Sequence, residues 1–589
     1  MALVYPLGKS INMLDVSATN LYSEIQAAER YRDAHLEHYS DVINEYVGPA
    51  GPNGDRGESA PDNHVYEYLS LTIPRIIHDN PRVEARTRRP YSQGNSASAL
   101  EHGLNRWIRD TDVRGTLIRT AYDMLISFGA TITTQEPSKR YDPQAGLRSY
   151  WPQCYRIAPK RLIIDPMALS FDQARYVGHM WVRDKEDLID EARDGNGWNV
   201  DAIERLAADT GTEDYYDQQR GRDVPTRNEV VCYDIWVPEV ELDDSPGPEF
   251  GFHGTIYTIT IGQTGGESDP DKVDYIRDPR PYYGPKTGPY SFFGSYYVPD
   301  SAYPLSPIMA SLGQADELNA HVRSAARSAA QYKRLILVDS KSKKLMQDVK
   351  SQPDNFVVPV EGLDRDRVIP IELGGITNQQ VNYIQMARER LDRNSGIHDV
   401  MRGNISGSAT ATEVATADAS SSVRIDYIKR QFVRAAEQMI HKVGWYLWND
   451  DRVMFPLGME SAQQMGMAEP FFKGGGEPPS TYDDIELEVD AYSMERTNEV
   501  LMQRRALEAL QVVSNVAQAM PQAPYVNWEA LLKQVGDSMN MPGMAQLIDQ
   551  QALMQMQQQA AMAQQAETMA QQGSVDEGGV GPEQYSGAV

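Results

Sequence analysis

The stretch that decides the fold is RGNISGSATATEVATA, residues 402–417, where a short polar segment passes into a run of helix-forming residues. Gly403 and Gly407 bracket the polar part, and glycine gives the backbone conformations that other residues rarely adopt. Such a segment suits a phosphate-binding loop, a linker or a mobile hinge between two helices. The sequence on either side decides among these.

Both flanks of this segment have helical periodicity. After it, residues 411–448 contain no proline and a single glycine, which predicts one helix roughly 55 Å long at 1.5 Å per residue. That length is unusual in a globular protein. Before it, a helix is predicted over 377–394. The apolar side of that helix is formed by Val381, Ile384, Ala387 and Leu391.

A further helix is predicted upstream, over 305–331, where apolar and small residues alternate steps of four and three. These residues form a narrow apolar stripe, or seam, along the helix, and the later part of the seam is alanine. Such a seam fits an ordinary core helix and also a helix packed closely in a ring of identical helices. The seam residues are Ile308, Leu312, Ala315, Asn319, Val322, Ala326 and Ala329.

A compact β-α-β-β module is predicted between these helices, over 332–374, with strands at RLILVD, FVVPV and RVIPIEL and a helix at SKKLMQDV. The start of this module is basic, with two acids, Asp339 and Asp348, interspersed. Its basic residues are Lys333, Arg334, Lys341, Lys343, Lys344 and Lys350.

The first part of the chain is predicted to be helical and then β-rich. Helices are predicted over 15–47, near 64–78 and, as a pair that meets near Gly115, over 95–128. From about 129 to 300 the sequence has short β-like stretches, dense turn signals and one helical insertion.

Several other segments have simple predictions. The Pro-, Gly- and aromatic-rich residues 277–304 indicate an irregular connection, and acids alternate with apolar residues in a strand at 484–492. A helix is predicted over 495–519, and the Met-, Gln- and Ala-rich residues 543–572 also favour helix. Residues 573–589 are expected to be a disordered tail.

Composition places the chain in a reducing, aqueous environment. Its 589 residues are 41% hydrophobic, enough to bury a sizeable core, and 83 acidic against 56 basic residues give a net charge of −27. That charge argues against a tight, sequence-specific DNA-binding protein, which needs a basic surface. The two cysteines, Cys154 and Cys232, are expected to be reduced and buried. We expect no signal peptide and no membrane span.

No catalytic motif is complete in the sequence. Only three residues separate Gly403 from Gly407, where a P-loop has four, and Ser408 stands where the P-loop lysine would be. His35 and His38 lack the spacing and the glutamate of a zinc hydrolase motif, so they are expected to form a surface or interface pair.

The acids near 483–490 are the remaining candidate for catalysis, because two-metal nucleases use clustered carboxylates. Alternation with apolar residues is instead typical of a solvated strand face. We therefore expect no metal, no cofactor and no enzymatic activity, with a metal-dependent DNA-processing enzyme as the alternative. The acids are Asp483, Asp484, Glu486, Glu488 and Asp490.

Taken together, the order helix, small α/β module, helix, glycine-bounded loop and very long helix over 305–448 resembles the core of tailed-bacteriophage portal proteins, in particular those of short-tailed phages. The run SGSATATEVATA at 406–417 is similar to a Ser/Ala/Thr-Glu stretch at this junction in portals. The resemblance implies a mainly helical α+β fold, a portal-type ring subunit with wing, stem, clip and crown and with long channel-side helices.

The resemblance also implies a division of the chain. The expected parts are a wing (1–304), a first stem helix (305–331), a clip (332–374), a second stem helix (375–394), a tunnel loop (395–411), a long helix (411–449), a return to the wing (450–494), a crown with its helical extension (495–572) and the tail (573–589).

By resemblance, the protein would form a homo-oligomeric ring, a dodecamer, at one vertex of the capsid in the virion, after assembly in the host cytoplasm. Double-stranded DNA would pass through it without sequence preference during packaging and ejection. Its partners would be the terminase motor, a tail adaptor, and the major capsid and scaffolding proteins. Another structural head–tail connector protein is the alternative within this class.

The residues expected to meet these partners follow from the same resemblance. A channel that must not hold DNA is expected to be mainly negative, with few, localised cations. The clip cations are expected to dock acidic partners, with a solvated charged surface as the alternative; they are Lys333, Arg334, Lys341, Lys343 and Lys344. The tunnel loop is expected to be a mobile collar around DNA, with an ordinary interhelical turn as the alternative. Its residues are Arg393, Arg402, Gly403, Asn404, Ser406, Gly407, Ser408, Thr410 and Thr412.

Overall fold

The computed structural model describes residues between Asp15 and Met494, with gaps. The described segments are 15–48, 62–88, 94–141, 148–193, 197–205, 229–243, 245–260, 263–264, 267–268, 275–330, 333–339, 355–361, 369–373, 375–397, 402, 411–449, 454–456, 471–473, 482–490 and 494. The predicted helices after 495, the tail, the helix of the basic module and loop residues 403–410 lie outside them.

The described residues form a mixed α+β fold. Its helices are α1 (Ala18–His35), α2 (Tyr39–Val47), α3 (His64–Ile76), α4 (Gly94–Asp110), α5 (Val113–Ile126), α6 (Lys185–Arg193), α7 (Val200–Arg205), α8 (Pro307–Ala330), α9 (Asn378–Ser395) and α10 (Ala411–Asn449).

The strands lie mainly between α5 and α8. They are β1 (Arg82–Thr87), β2 (Gly129–Tyr141), β3 (Arg148–Ile157), β4 (Leu162–Ile164), β5 (Val177–Asp184), β6 (Glu229–Val237), β7 (Phe252–Thr260), β8 (Gln263–Thr264), β9 (Glu267–Ser268), β10 (Tyr275–Tyr283), β11 (Tyr290–Phe293), β12 (Lys333–Asp339), β13 (Asn355–Val360), β14 (Ile369–Leu373), β15 (Met454–Pro456), β16 (Phe471–Lys473) and β17 (Ile485–Asp490).

Two antiparallel sheets dominate the β-rich region. One has the strand order β10-β7-β6-β5-β4 and the other the order β11-β2-β3. Because side chains alternate between the faces of a strand, Tyr233, Ile235 and Val237 of β6 face α1, where Leu21 and Ile25 cover them in an apolar layer. The opposite face of the five-stranded sheet carries the even-numbered residues of β6.

The main core is built around α10. Ile428, Phe432, Met439 and Ile440 have at most 1% exposure, and they pack with residues of α3, α5 and the three-stranded sheet. Phe432 contacts Phe293 of β11 with ring centroids 5.4 Å apart. The predicted unbroken helix over 411–448 is confirmed, and its length allows one helix to bind both the helical layer and the sheet.

Some sequence predictions are wrong in detail. The helical segment 15–47 is broken at 36–38, which separates α1 from α2. The predicted pair of helices over 95–128 is confirmed: the junction between α4 and α5 lies at 111–112, near Gly115, because Asp112 caps α5 by accepting a hydrogen bond from the Gly115 backbone N–H at 3.0 Å. The expected irregular connection 277–304 contains most of β10 and all of β11.

The histidines and the burial of one cysteine, Cys154, also differ from expectation. His35 is half-buried and stacks on Tyr303 with ring centroids 5.0 Å apart, so it does not form a surface pair with the exposed His38. Cys232 is buried and Cys154 is half-buried, both as free thiols. Within the described segments, no helix is long and apolar enough to cross a membrane.

A lysine lies in the main core beside the β11-β2-β3 sheet. Lys442 of α10 is 4% exposed, and its ammonium group donates hydrogen bonds to the carbonyl oxygens of Tyr290 and of Thr287, the latter at 3.4 Å. Burial lowers the pKa of Lys442 to about 7, because the charged form is poorly solvated there.

We predict that Lys442→Met changes how stability depends on pH. The folded-state pKa lies below the unfolded value near 10.4, so the unfolded state binds more protons between about pH 7 and pH 10, and stability should rise with pH across that window. Urea denaturation at several pH values should show that this contribution disappears in the variant. The exposed Lys286→Met is the control; identical pH curves for wild type and Lys442→Met would contradict the assignment.

Candidate nucleic-acid interface

Helices α8 and α9 form an antiparallel hairpin. Gly375 donates its backbone N–H to the Ser328 carbonyl oxygen at 3.0 Å, and the rings of His321 and Tyr383 lie 4.5 Å apart further along the pair. A capping box at Thr377 starts α9 and Gly396, with φ +78°, ends it. The buried contact between the helices is small: Ala315, Leu318, Ala387 and Leu391.

Most of α9 is exposed on its other sides. Val381, predicted to lie on the apolar side of this helix, is 40% exposed, and Tyr383 packs against α8 instead. Met386 and the preceding Ile376 are 40% and 50% exposed. A helix in a protein gains most of its stability from a packed apolar face, and among the described residues this hairpin leaves these three apolar side chains exposed.

A three-stranded sheet connects the two helices, with the order β13-β12-β14. Strand β12 pairs parallel with β13 and antiparallel with β14. The predicted strands of the basic module are therefore confirmed, and Lys333 and Arg334 lie in β12. Lys341, Lys343 and Lys344 lie outside the described residues.

Arg402 connects three parts of the fold. Its guanidinium donates to the Glu67 carboxylate of α3 at 2.6 Å and to both carboxylate oxygens of Asp392 in α9 at 2.6 and 2.9 Å. The side chain is 18% exposed, and the hydrogen bonds to these two acids raise its pKa further above its ordinary value. Its charge is thus neutralised within the subunit.

A second arginine holds the other side of the same junction. Arg424 of α10 donates hydrogen bonds to the Arg393 and Asn394 carbonyl oxygens, at 3.0 and 2.7 Å. A cation is favourable at the C-terminus of a helix, where carbonyl groups lack intrahelical partners. The two arginines therefore fix α9 to α3 and α10 on both sides of the glycine-bounded loop.

No local sequence pattern points to Glu67, Asp392 or Arg424 as residues of this junction. Glu67 and Arg402 are 335 positions apart, and no periodicity links them. The side chain of Arg393 is exposed beside this junction. Thr412 lies in the first turn of α10, whereas Gly403, Asn404, Ser406, Gly407, Ser408 and Thr410 lie outside the described residues, so their role in the loop stays a prediction.

The hairpin helices are close to neutral, although the whole chain is strongly acidic. Over α8 and α9 there are four carboxylates, Asp316, Glu317, Glu389 and Asp392, and five arginines, Arg323, Arg327, Arg388, Arg390 and Arg393. The excess of 27 negative charges therefore lies in other parts of the sequence.

The acidic strand is β17, which pairs antiparallel with β1. Its apolar residues are at most 6% exposed, and Glu486 and Glu488 point outward, 4.0 and 3.7 Å from the guanidiniums of Arg88 and Arg86. The predicted solvated strand face is confirmed. Among the described residues, no three His, Cys, Asp or Glu side chains are grouped as metal ligands.

No protein-family model and no curated protein matches the chain. Among solved structures, a chain in the neck of an empty gene transfer agent particle, computed with C6 symmetry, is 11% identical with a TM-score of 0.36, over 84% of this chain and 93% of that chain. A chain from the virion of a native gene transfer agent particle is 10% identical with a TM-score of 0.33, over 85% and 93%. At TM-scores this low, the likeness assigns neither a fold nor a function.

We predict that Arg402→Met lowers the free energy of unfolding by about 1–3 kcal/mol, because it leaves Glu67 and Asp392 without their shared cation. Adding Glu67→Gln and Asp392→Asn should recover part of that loss. The control is Arg388→Met, whose partner Asp62 is exposed and whose removal should cost less than about 1 kcal/mol. Equal losses for Arg402→Met and the control, in urea denaturation, would show that Arg402 does not connect these elements.

Proposed function

We propose that this chain is a portal subunit, which forms a ring at one capsid vertex and conducts double-stranded DNA during packaging and ejection. The observation that carries the proposal is the hairpin of α8 and α9, with a three-stranded sheet between its helices and a 39-residue helix after its loop. This order matches the one expected for stem, clip, tunnel loop and long helix.

The exposed side of the hairpin supports self-association. Four buried side chains are a small contact for two helices of 24 and 18 residues. Hairpins of neighbouring copies in a closed ring would cover Ile376, Val381 and Met386, because a heterologous interface repeats the same contact around the ring. The small alanine side chains near the end of α8 would allow close approach. A dodecamer is the proposed stoichiometry.

The charge distribution at the junction suits a conduit. Cations on a channel wall would displace counterions from DNA and hold it, and Arg402 is already bound by two carboxylates. We propose that DNA meets neutral hydroxyl, amide and backbone groups of the loop between 403 and 412, with Arg393 as a localised cation nearby. Screening by salt limits the reach of this charge to about 8–10 Å.

The remaining partners follow from position in such a ring. The basic sheet module would dock the acidic surfaces of the terminase motor and the tail adaptor, through Lys333, Arg334, Lys341, Lys343 and Lys344. The capsid and scaffolding proteins would surround the outer part of the ring. The protein itself would carry out no hydrolysis, and DNA movement would be driven by the motor.

Negative-stain microscopy of the purified full chain tests the proposal. We expect ring particles with a central hole. A compact monomer at all concentrations would overturn the portal assignment. Incubation of the same preparation with plasmid DNA and Mg²⁺ or Mn²⁺ tests the alternative, a metal-dependent nuclease. Metal-dependent cutting that is lost in the variant Glu486→Gln/Glu488→Gln would support the nuclease.

We predict that Gly403→Ala/Gly407→Ala lowers the yield of DNA-filled particles at least several-fold while rings still form. Alanine restricts the backbone by about 0.5–1 kcal/mol per site, so a collar that must follow moving DNA would stiffen. The yield is measured by nuclease-protected DNA in particles assembled with the variant. Ser406→Ala/Ser408→Ala is the matched control in the same loop, and full packaging by the glycine variant would remove the proposed need for backbone freedom.

A further inference from the structure

An open cleft of about 1010 Å³ lies between the two antiparallel sheets, away from the hairpin. One wall is the face of the five-stranded sheet that points away from α1, and the other wall is formed by β2 and β3. Although the chain is acidic, the described lining includes five arginines and two carboxylates: Arg156, Arg161, Arg183, Arg277, Arg280, Glu191 and Asp234.

Strand register explains this lining. His179 and Trp181 of β5 lie opposite Asp234 and Cys232 of β6, so they share the face that points into the cleft. Arg280 of β10 pairs with Ile256 of β7 on the same face. Across the cleft, Tyr155 of β3 is 46% exposed. The site is therefore built on paired strands, which hold side chains more rigidly than loops do.

Some N–H groups in the described part of the lining have no acceptor. Among them are Nε of Arg280 and Nε1 of Trp181 and Trp198, all buried from solvent at the atom itself. The two indole rings meet edge to face, 6.4 Å between centroids, and the nearest carboxylate to Arg280 is Asp234 at 3.7 Å. A buried donor without an acceptor is unfavourable, so an acceptor that entered the cleft and came within reach of these groups would be stabilised.

The carboxylates in the lining already have partners. Glu191 accepts a hydrogen bond from Arg183, and Asp234 accepts one from Thr258 at 2.7 Å. Burial is the main reason that the pKa of Arg277 is lowered; the charge of Arg280 adds to this, and Asp234 and Glu191 oppose it. Burial also lowers the pKa of His179 and favours its neutral form. Arg156 is paired with Asp123, so an anion in the cleft would be bound through N–H groups that lack acceptors.

We propose that this cleft binds a phosphoryl group, through Arg280 and the indole N–H groups of Trp181 and Trp198. Arginine forms forked hydrogen bonds to phosphate oxygens, and a tetrahedral anion offers acceptors in more directions than a planar carboxylate. The phosphoryl group belongs either to free phosphate or to a nucleic-acid strand, whose bases could stack on the exposed Tyr155 ring. The site does not depend on the proposed portal role.

Isothermal titration calorimetry of the full chain with inorganic phosphate, with short single-stranded oligothymidylate and with oligoglutamate tests this assignment. We expect phosphate or oligothymidylate to bind, with Arg280→Gln weakening the affinity about tenfold or more. Trp198→Phe should weaken it about two- to tenfold, since it keeps an aromatic ring but removes the N–H. Binding of phosphate alone identifies free phosphate as the source, and tighter binding of oligothymidylate identifies a nucleic-acid strand.

The matched control is Arg193→Gln, an exposed arginine outside the cleft that pairs with Asp190; its affinity should equal that of wild type. Arg280→Lys keeps the positive charge but loses the forked donor geometry of the guanidinium, so its affinity should lie between those of wild type and Arg280→Gln. It also provides a test if the glutamine variant does not fold. Three results would overturn the proposal: no binding of either phosphate probe, equal weakening in Arg193→Gln, or binding of oligoglutamate alone.

Discussion

The burial of α10 is the interaction on which the rest of the described structure depends. One face of this helix supplies Ile428, Phe432 and Met439 to a core that also includes α3 and α5 on the helical side and β2, β3 and β11 on the other. Each such side chain contributes about 1.5–3 kcal/mol when it leaves water. Both layers pack on the same helix, and the position of α10 fixes where the preceding loop must end.

The hairpin of α8 and α9 is attached to this core mainly at its base. The first turns of α8 are buried beside α5, whereas α9 is connected through Arg402 and Arg424 at its C-terminal end. Charged hydrogen bonds are directional, so they set an orientation where apolar contact is scarce. This attachment leaves Ile376, Val381 and Met386 exposed on the hairpin, while Arg402 and Arg424 hold its C-terminal end.

Sequence periodicity predicted the elements that bury a continuous apolar side. The predictions for α8, α9, α10 and β17 needed only local patterns, because one face of each element meets a core or a partner strand. Details failed where another contact outweighed the local pattern: Val381 is exposed because Tyr383 packs against α8, and β10 forms despite its prolines because β7 lies beside it. The partners of Arg402 could not be predicted, since Glu67 and Asp392 become neighbours only after α3 and α9 meet.

The distribution of charge also follows from this packing. Although the chain has an excess of acids, five of the described arginines line the cleft between the sheets and five lie on α8 and α9. At the end of the hairpin, Glu67 and Asp392 neutralise Arg402 next to the loop. In the cleft between the sheets, the described lining has two carboxylates for five arginines, and N–H groups of Arg280, Trp181 and Trp198 lack acceptors. Arginine is therefore neutralised at one place and left with an unpaired N–H at the other, and the difference is made by which acidic side chains the backbone brings within reach.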